Sequence, residues 1–178
     1  MWVALLLLSL DESNIPLPPL VLELRLNASA DPVVELALVN RSSKPLKVVK
    51  PGDGSNEGWR EPHVYWTAET RAPGGVWSPL APRRYARCGN YAPNWEKDVV
   101  DLAPGERLVL SGWVRSPGRV FDLKPGTRIR LVAHYDYRAA PPTKARGEEP
   151  PSVPRTDGPM KGVLPFKLAS KAVEFEVE

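Results

Sequence analysis

Apolar and polar residues alternate along much of this chain with the two-residue period of a β-strand. The clearest run covers residues 128–138, where the predicted inward positions are Ile129, Leu131, Ala133, Tyr135 and Tyr137. Leucine occupies every second position of residues 20–26 in the same way. Shorter runs lie at residues 34–38, 46–48, 63–70, 107–114 and 173–178. The pattern predicts about seven strands, each with one buried face.

Helical periodicity is missing from the sequence. Every window of eleven or more residues with apolar positions at the helical spacing is interrupted by Pro or Gly. The chain has 21 prolines in 178 residues, about twice the usual share, and proline suits turns and edge strands better than helix interiors. Strands with one buried face are best satisfied by two antiparallel sheets packed face to face, so we expect an all-β sandwich.

The ends and loops of the chain divide it into one domain and two less regular segments. Residues 1–10 are strongly apolar, and two interpretations stay open: an atypical export signal, or a strand packed on the core. At about nine apolar residues this stretch is too short to cross a bilayer, so no transmembrane span is predicted. We assign residues 1–19 to this N-terminal segment and residues 20–178 to a single sandwich domain. Residues 139–165, rich in Pro, Gly and charge, are predicted to form a mobile loop.

Short turn motifs occur in a recognisable order. The sequence reads NRSSKP at residues 40–45, LAPGE at 102–106, then Trp113, then LKPGT at 123–127 before a long strand. This order resembles immunoglobulin-like modules of bacterial cell-surface proteins and lipoproteins, and it is similar to the bacterial intracellular proteinase-inhibitor family. The resemblance covers roughly residues 33–138. It implies an all-β, immunoglobulin-like antiparallel β-sandwich of about seven to nine strands with long loops.

Composition excludes several classes of function. The net charge is +3, from 24 basic and 21 acidic residues, and no dense basic stripe points to nucleic acid. The single cysteine, Cys88, rules out an intrachain disulfide and a thiolate-rich zinc site. The only histidines, His63 and His134, are far apart in sequence and lack ligand spacing, so neither a metal nor another cofactor is expected.

Candidate catalytic groups are weak. Cys88 lies near Arg83, Arg84 and Arg87, which could lower the pKa of its thiol, but an incidental cysteine is the favoured interpretation. The sequence DGSNEG at residues 53–58 faintly resembles a calcium loop, yet its twelfth position is Val64 where a bidentate Glu is needed, so a solvated turn is favoured. No serine nucleophile motif or carboxylate pair is present. We therefore expect no enzymatic activity.

Aromatic and basic residues are concentrated between residues 59 and 95, which hold four of the six tryptophans. Trp, Tyr and Arg dominate binding hot spots. The favoured interpretation is that these rings cover the edge of the sandwich, with arginine stems over them. If the segment is instead a recognition surface for protein, glycan or an anionic polymer, its candidate binding residues are Trp59, Arg83, Arg84, Tyr85, Arg87, Tyr91 and Trp95.

The sequence predicts a non-catalytic binding or structural module, with a location outside the cytoplasm of a bacterium favoured. One alternative is a proteinase-inhibitor-like regulator acting through a loop, and another is an accessory domain of a larger enzyme. An inhibitor should present an extended, rigid loop at one end of the sandwich. A surface module should present a flat or concave aromatic patch.

Overall fold

The computed structural model describes residues 18–27, 33–84, 95–110, 114–138 and 158–178. Ten strands lie in these ranges: β1 (Leu20–Asn27), β2 (Val33–Asn40), β3 (Leu46–Val49), β4 (His63–Arg71), β5 (Ser78–Leu80), β6 (Val99–Leu102), β7 (Arg107–Val109), β8 (Arg128–Tyr137), β9 (Phe166–Ala169) and β10 (Val173–Glu176). The helical elements are short: α1 (Trp95–Asp98), α2 (Pro117–Val120) and 3₁₀ turns at Ser55–Glu57 and Gly158–Met160. None of the helices in these ranges has the length and apolar character that a bilayer crossing requires.

The strands form an antiparallel sandwich. One sheet has the order β1-β2-β7, and a five-stranded sheet has the order β10-β8-β4-β5 with β9 also beside β8. β3 and β6 pair as a two-stranded ribbon. All pairings between these strands are antiparallel, and side chains from both large sheets meet in one hydrophobic core. The predicted all-β sandwich is therefore confirmed.

The described residues form ten strands where the hydrophobic pattern predicts about seven, and the three additional strands are β5, β6 and β9. A bend at residues 41–45 separates β2 from β3, and a bend at residues 103–106 separates β6 from β7. The pairing resumes beyond both bends, since Ala37 faces Val109 on one side and Leu46 faces Leu102 on the other. β9 and β10 follow one another along the same edge of β8.

Asn40 holds the two facing bends together although it is fully buried. Its side-chain Nδ2 donates to the carbonyl oxygens of Lys44 and Leu102, each at 2.8 Å, and its Oδ1 accepts from the Ser42 N–H at 2.9 Å. Its backbone carbonyl accepts from the N–H of Gly105 at 2.8 Å. Gly105 has a φ of 75°, the left-handed conformation that the LAPGE motif predicts. The buried amide is thus fully satisfied, and the bends are fixed against each other.

A β-bulge separates β9 from β10. Ala169 pairs with His134 and Val173 pairs with Leu131, so this edge has one residue more than β8 over the same length. The buried Ser170 fills the gap, because its Oγ accepts from the Ala133 N–H at 3.0 Å while its own N–H donates to the Ala133 carbonyl at 2.9 Å. The extra residue changes which alternate side chains point inward, from even-numbered residues in β9 to odd-numbered residues in β10.

The core lies between the two sheets and follows the predicted alternation most closely in β8. The five predicted inward residues there are all buried: Ile129, Leu131, Ala133, Tyr135 and Tyr137. They pack with buried leucines of β1 and β2 and with Val64, Trp66 and Ala68 of β4. Each large apolar side chain of this kind contributes roughly 1.5–3 kcal/mol of burial free energy. The Tyr135 hydroxyl donates to the Val49 carbonyl at 2.8 Å, which ties β8 to β3.

The predicted strand pattern differs from the structure at the ends of β1 and β7. Exposure rises along β1 from 0% at Leu20 to 40% at Leu26, so the far end of this strand extends beyond the core. The run predicted at residues 107–114 is shorter in the structure, where β7 ends at Val109 and the buried Leu110 follows.

The predicted N-terminal segment and mobile loop lie mostly outside the described residues. Only residues 18–19 of the first and residues 158–165 of the second are described. In the latter, Met160 is buried in the core and Val163 forms a bridge with Lys47. The mobility of the remainder stays a prediction.

Candidate functional site

The structure describes only part of the aromatic and basic segment that the sequence singles out. Tyr85, Arg87 and Tyr91 lie outside the described residues, as does Cys88, and Trp95 is described only as the first residue of α1. Trp59, Arg83 and Arg84 are the predicted binding residues whose side chains can be placed.

Arg83 and Arg84 end an exposed stretch that follows β5. The Arg83 N–H donates to the Val120 carbonyl at 2.7 Å, and its Nη2 donates to Asp122 Oδ1 at 2.8 Å. Both partners of this ion pair are largely exposed, and such pairs contribute at most about 1 kcal/mol. Arg83 is therefore positioned by α2, and its charge is partly compensated.

Trp59 follows residues 53–58, which the sequence predicts as a solvated turn. The structure has a turn there, with a 3₁₀ segment at Ser55–Glu57, but the turn is partly buried. Gly52 and Ser55 are buried, and Arg60 is 9% exposed. The Arg60 Nη2 donates to Asp98 Oδ2 at 2.7 Å. A Cβ on Gly52 would lie 2.4–2.8 Å from the Arg60 guanidinium, so any other residue at this position would force the arginine to shift. The loop packs around an arginine, and that buried charge is what the sequence pattern did not reveal.

Cations near this loop also disfavour the calcium interpretation. The Glu57 carboxylate pairs with Arg115 at 3.1 Å, and Arg60 occupies the interior of the loop. Within the ranges that the structure describes, no three His, Cys, Asp or Glu side chains are placed to hold a metal ion.

A more coherent surface lies on the outer side of the five-stranded sheet, which we call the aromatic face. It combines the outward residues of four strands with one ring from the segment before β5. Its members are His63, Tyr65, Thr67, Glu69, Arg71, Trp77, Arg128, Arg130, Val132, His134, Asp136, Lys167, Ala169, Glu174 and Glu176.

Tyr65 and His134 face each other across β4 and β8. Their ring centroids are 4.6 Å apart with an interplanar angle of 9°, which is a parallel stack. His134 Nε2 lies 2.9 Å from Thr67 Oγ1. Burial and, to a smaller extent, the charge of Lys167 hold the pKa of His134 below its usual 6.5. The imidazole is therefore neutral at pH 7, and Tyr65 remains 39% exposed.

Trp77 stacks on an arginine at the other end of this face. The guanidinium carbon of Arg130 lies 4.3 Å from the centroid of the Trp77 ring, and that of Arg71 lies 5.9 Å away. Arg130 also pairs with Glu174 at 2.9 Å and with Glu69 at 3.3 Å. These carboxylates raise the pKa of Arg130, with the hydrogen bond that Arg130 donates to Glu174 contributing most. The arginine is thus paired on both sides, and its positive charge is fully compensated by the two carboxylates.

At the end of the aromatic face opposite Trp77, the charge of Asp136 is also compensated by a neighbouring side chain. Asp136 is 3% exposed and accepts hydrogen bonds from Arg138 Nε at 2.9 and 3.0 Å. Those bonds, more than any other influence, lower the pKa of Asp136. Lys167 and His63 face Asp136 from the two neighbouring strands.

The outer side of the three-stranded sheet, which we call the charged face, carries ion pairs but, in its described residues, none of the aromatic rings of the aromatic face. Glu23 pairs there with Arg25 at 3.0 Å and Arg41 at 2.5 Å, and with Arg107 at 3.6 Å, while Arg107 also pairs with Glu35 at 2.6 Å. Burial would raise the pKa of Glu23, but the hydrogen bonds and charges of Arg41 and Arg25 outweigh it and the pKa is lowered. No aromatic ring belongs to the described outward residues of this sheet.

Strand register explains why sequence reasoning missed the aromatic face. Trp66 points into the core while Tyr65 points outward, so the aromatic segment divides between two sides of one strand. The two histidines, treated as distant, are diagonal neighbours, since His63 pairs with Asp136 two residues from His134. The outward position of His134 was predicted, but its partner Tyr65 could be found only by pairing β4 with β8.

The chemistry available on the aromatic face is stacking and hydrogen bonding. Thr67 and His134 are in contact as a nucleophile and a base would be, but catalysis needs a third group that orients the imidazole. Within the described ranges, burial and Lys167 account for the pKa of His134, and no carboxylate takes that role. Comparison of the chain with protein-family models, curated proteins and solved structures finds no match.

Proposed function

We propose that this chain is a non-catalytic binding module and that its recognition surface is the aromatic face of the five-stranded sheet. The single observation that carries the proposal is the placement of Tyr65 and Trp77 on an exposed sheet surface, each braced by a partner. A ring held by His134 or Arg130 loses little conformational entropy when a ligand covers it. Aromatic side chains with restricted torsions are typical anchors of binding sites.

The sandwich architecture supports a location outside the cytoplasm. The sheet order β10-β8-β4-β5 facing β1-β2-β7 is compatible with the immunoglobulin-like modules of bacterial surface proteins that the turn motifs resemble. Such modules act by binding or as structural spacers, and a flat aromatic patch favours binding.

A capture experiment with three baits tests this function. Immobilised wild type, Tyr65→Ala/Trp77→Ala and Arg83→Ala/Arg84→Ala are exposed to an extract of the native source, and bound proteins and glycans are identified by mass spectrometry. We expect the wild type and the arginine variant to retain the same partner and the ring variant to lose it, with unchanged melting temperatures. Loss in the arginine variant alone would move the site to the loop after β5.

A proteinase-inhibitor-like regulator is the second candidate, and residues 81–84 favour it. These residues are exposed, and they are anchored by the pairing of Leu80 with Ala68 on one side and by Arg83 on the other. An anchored, exposed strap is what a protease-binding loop requires. Inhibition of trypsin-like proteases by the wild type, abolished in Arg83→Ala/Arg84→Ala, would support this candidate over the first.

A further inference from the structure

The distribution of charge on the aromatic face restricts its ligand. Arg130 lies between Glu69 and Glu174, and Asp136 lies against Arg138. Charges satisfied in this way within the sheet would lose good partners if they turned toward a charged ligand. The centre of the face, formed by Thr67, Tyr65 and His134, carries no formal charge near pH 7. Complementarity therefore favours an uncharged ligand.

The two rings define the length and direction of the site. The Trp77 ring lies closest to the guanidinium of Arg130, which pairs with Glu69, whereas Tyr65 is four residues earlier than Glu69 on β4. At about 3.4 Å per residue these levels are roughly 14 Å apart along the strand. One side of Tyr65 is stacked on His134, so its 39% exposure comes from the other side and from the ring edges. β5 pairs only with Ala68–Thr70, which leaves the level of Tyr65 uncovered by that strand.

The groups between the rings are polar and able to bind hydroxyls. Thr67 Oγ1 and His134 Nε2 can each donate or accept a hydrogen bond. The Glu69 carboxylate accepts, and it is partly exposed although paired with Arg130. A row of donors and acceptors bounded by two rings suits a ligand with hydroxyls at its edge and C–H groups on its faces.

We propose that the aromatic face binds a neutral, linear oligosaccharide laid along β4, with Tyr65 and Trp77 stacking on separate sugar rings. The proposal rests on the proposed function and names the ligand class of the same surface. A protein partner fits less well, because a protein interface needs a desolvated apolar centre. Here the centre consists of Tyr65, Thr67, His134 and a half-buried Val132, so polar groups interrupt its apolar area.

Affinity electrophoresis through gels that contain a soluble polysaccharide tests the proposal on the full chain. The neutral probes are hydroxyethyl cellulose, glycol chitin, xylan, galactomannan and dextran, and the charged probes are polygalacturonate and heparin. We expect retardation by at least one neutral probe and none specific to the charged probes. Tyr65→Ala and Trp77→Ala should each weaken it roughly tenfold, as expected when one stacking ring is removed.

Matched variants separate lost contacts from lost folding. Val76→Ala removes an 82% exposed side chain next to Trp77 and should leave retardation within about twofold of the wild type. Tyr65→Phe keeps the ring and should retain binding even if Tyr65→Ala folds poorly. Retardation that survives loss of both rings overturns the proposal.

Failure of this proposal can be distinguished from failure of the proposed function. No retardation by any neutral probe, with capture of a protein that depends on Tyr65 and Trp77, overturns the oligosaccharide and leaves the recognition surface standing. No retardation and no ring-dependent capture overturn both.

Discussion

The charged face and the aromatic face belong to opposite sides of one sandwich, and both carry several ionised side chains. On the charged face, Glu23 is shared by three arginines. On the aromatic face, Arg130 is shared by two glutamates and also supports Trp77. The first arrangement only compensates charge. The second compensates charge and orients a ring, and the proposed recognition surface depends on that additional feature.

The two sheets also differ in how their irregular points are fixed, and two substitutions measure that difference. Asn40→Ala should lower the free energy of unfolding by about 2–4 kcal/mol, because the buried carbonyl of Leu102 loses its donor and the hydrogen bonds of Asn40 with Lys44 and Ser42 are lost as well. Ser170→Ala should cost about 1–2 kcal/mol, because only the Ala133 N–H loses its acceptor. Urea unfolding of the two variants gives both values. A larger loss for Ser170→Ala would show that the bulge, and not the bend, is the more demanding site.

Removing one carboxylate from each face tests the electrostatic part of the comparison. Glu23→Gln leaves three arginines without their common partner and should cost about 1–2 kcal/mol. Glu69→Gln should stay within about 0.5 kcal/mol, since Glu174 still pairs with the exposed Arg130. Repeating the unfolding experiments at about 1 M salt should reduce the first loss through screening. Equal losses in the two variants would contradict the distinction between the faces.

The smallest expected effect is a dependence of stability on pH just below 6.5, which among the described residues we attribute to His134 on the aromatic face. The chain has two histidines, both on that face, and the pKa of His134 is lowered by its burial. Between the folded pKa and the unfolded value of 6.5, the unfolded chain binds more protons, so stability rises with pH. Stability should therefore be complete above pH 6.5 and fall as the pH decreases below it.

Thermal unfolding across this range should show a shallower slope for His134→Gln than for the wild type. Glu23→Gln serves as the control, because the described residues of the charged face include no histidine, and its slope should match the wild type. An unchanged slope in His134→Gln would exclude the stacked imidazole as the source.

Local alternation was enough to predict the class of fold and much of its core. Each of Ile129, Leu131, Ala133, Tyr135 and Tyr137 is buried as predicted, because a two-residue period alone assigns residues to sides of a strand. The Pro-Gly motifs likewise predicted the positive φ of Gly105 and Gly126. These properties depend on neighbours in sequence.

The candidate site depends on neighbours in space, and the sequence could not supply them. Tyr65 and His134 are brought together by the register of β4 with β8, which no local pattern specifies. Arg60 was treated as part of a surface segment, yet it is buried against Gly52 and Asp98. Composition drew attention to residues 59–95 as a group, whereas the sheet distributes their described rings among the core, the loop and the aromatic face.

The bulge after β9 fixes the number of residues in the exposed stretch between β9 and β10. Lys171 and Ala172 are exposed, and insertions or deletions are usually tolerated at such surface positions. Here the removal of one residue would abolish the bulge at Ser170, and with it the switch from even-numbered to odd-numbered inward residues. Val173 and Phe175 would then point to solvent, and Glu174 and Glu176 would point into the core. We therefore expect natural variants of this chain to differ freely in the composition of residues 171–172 but never in their number.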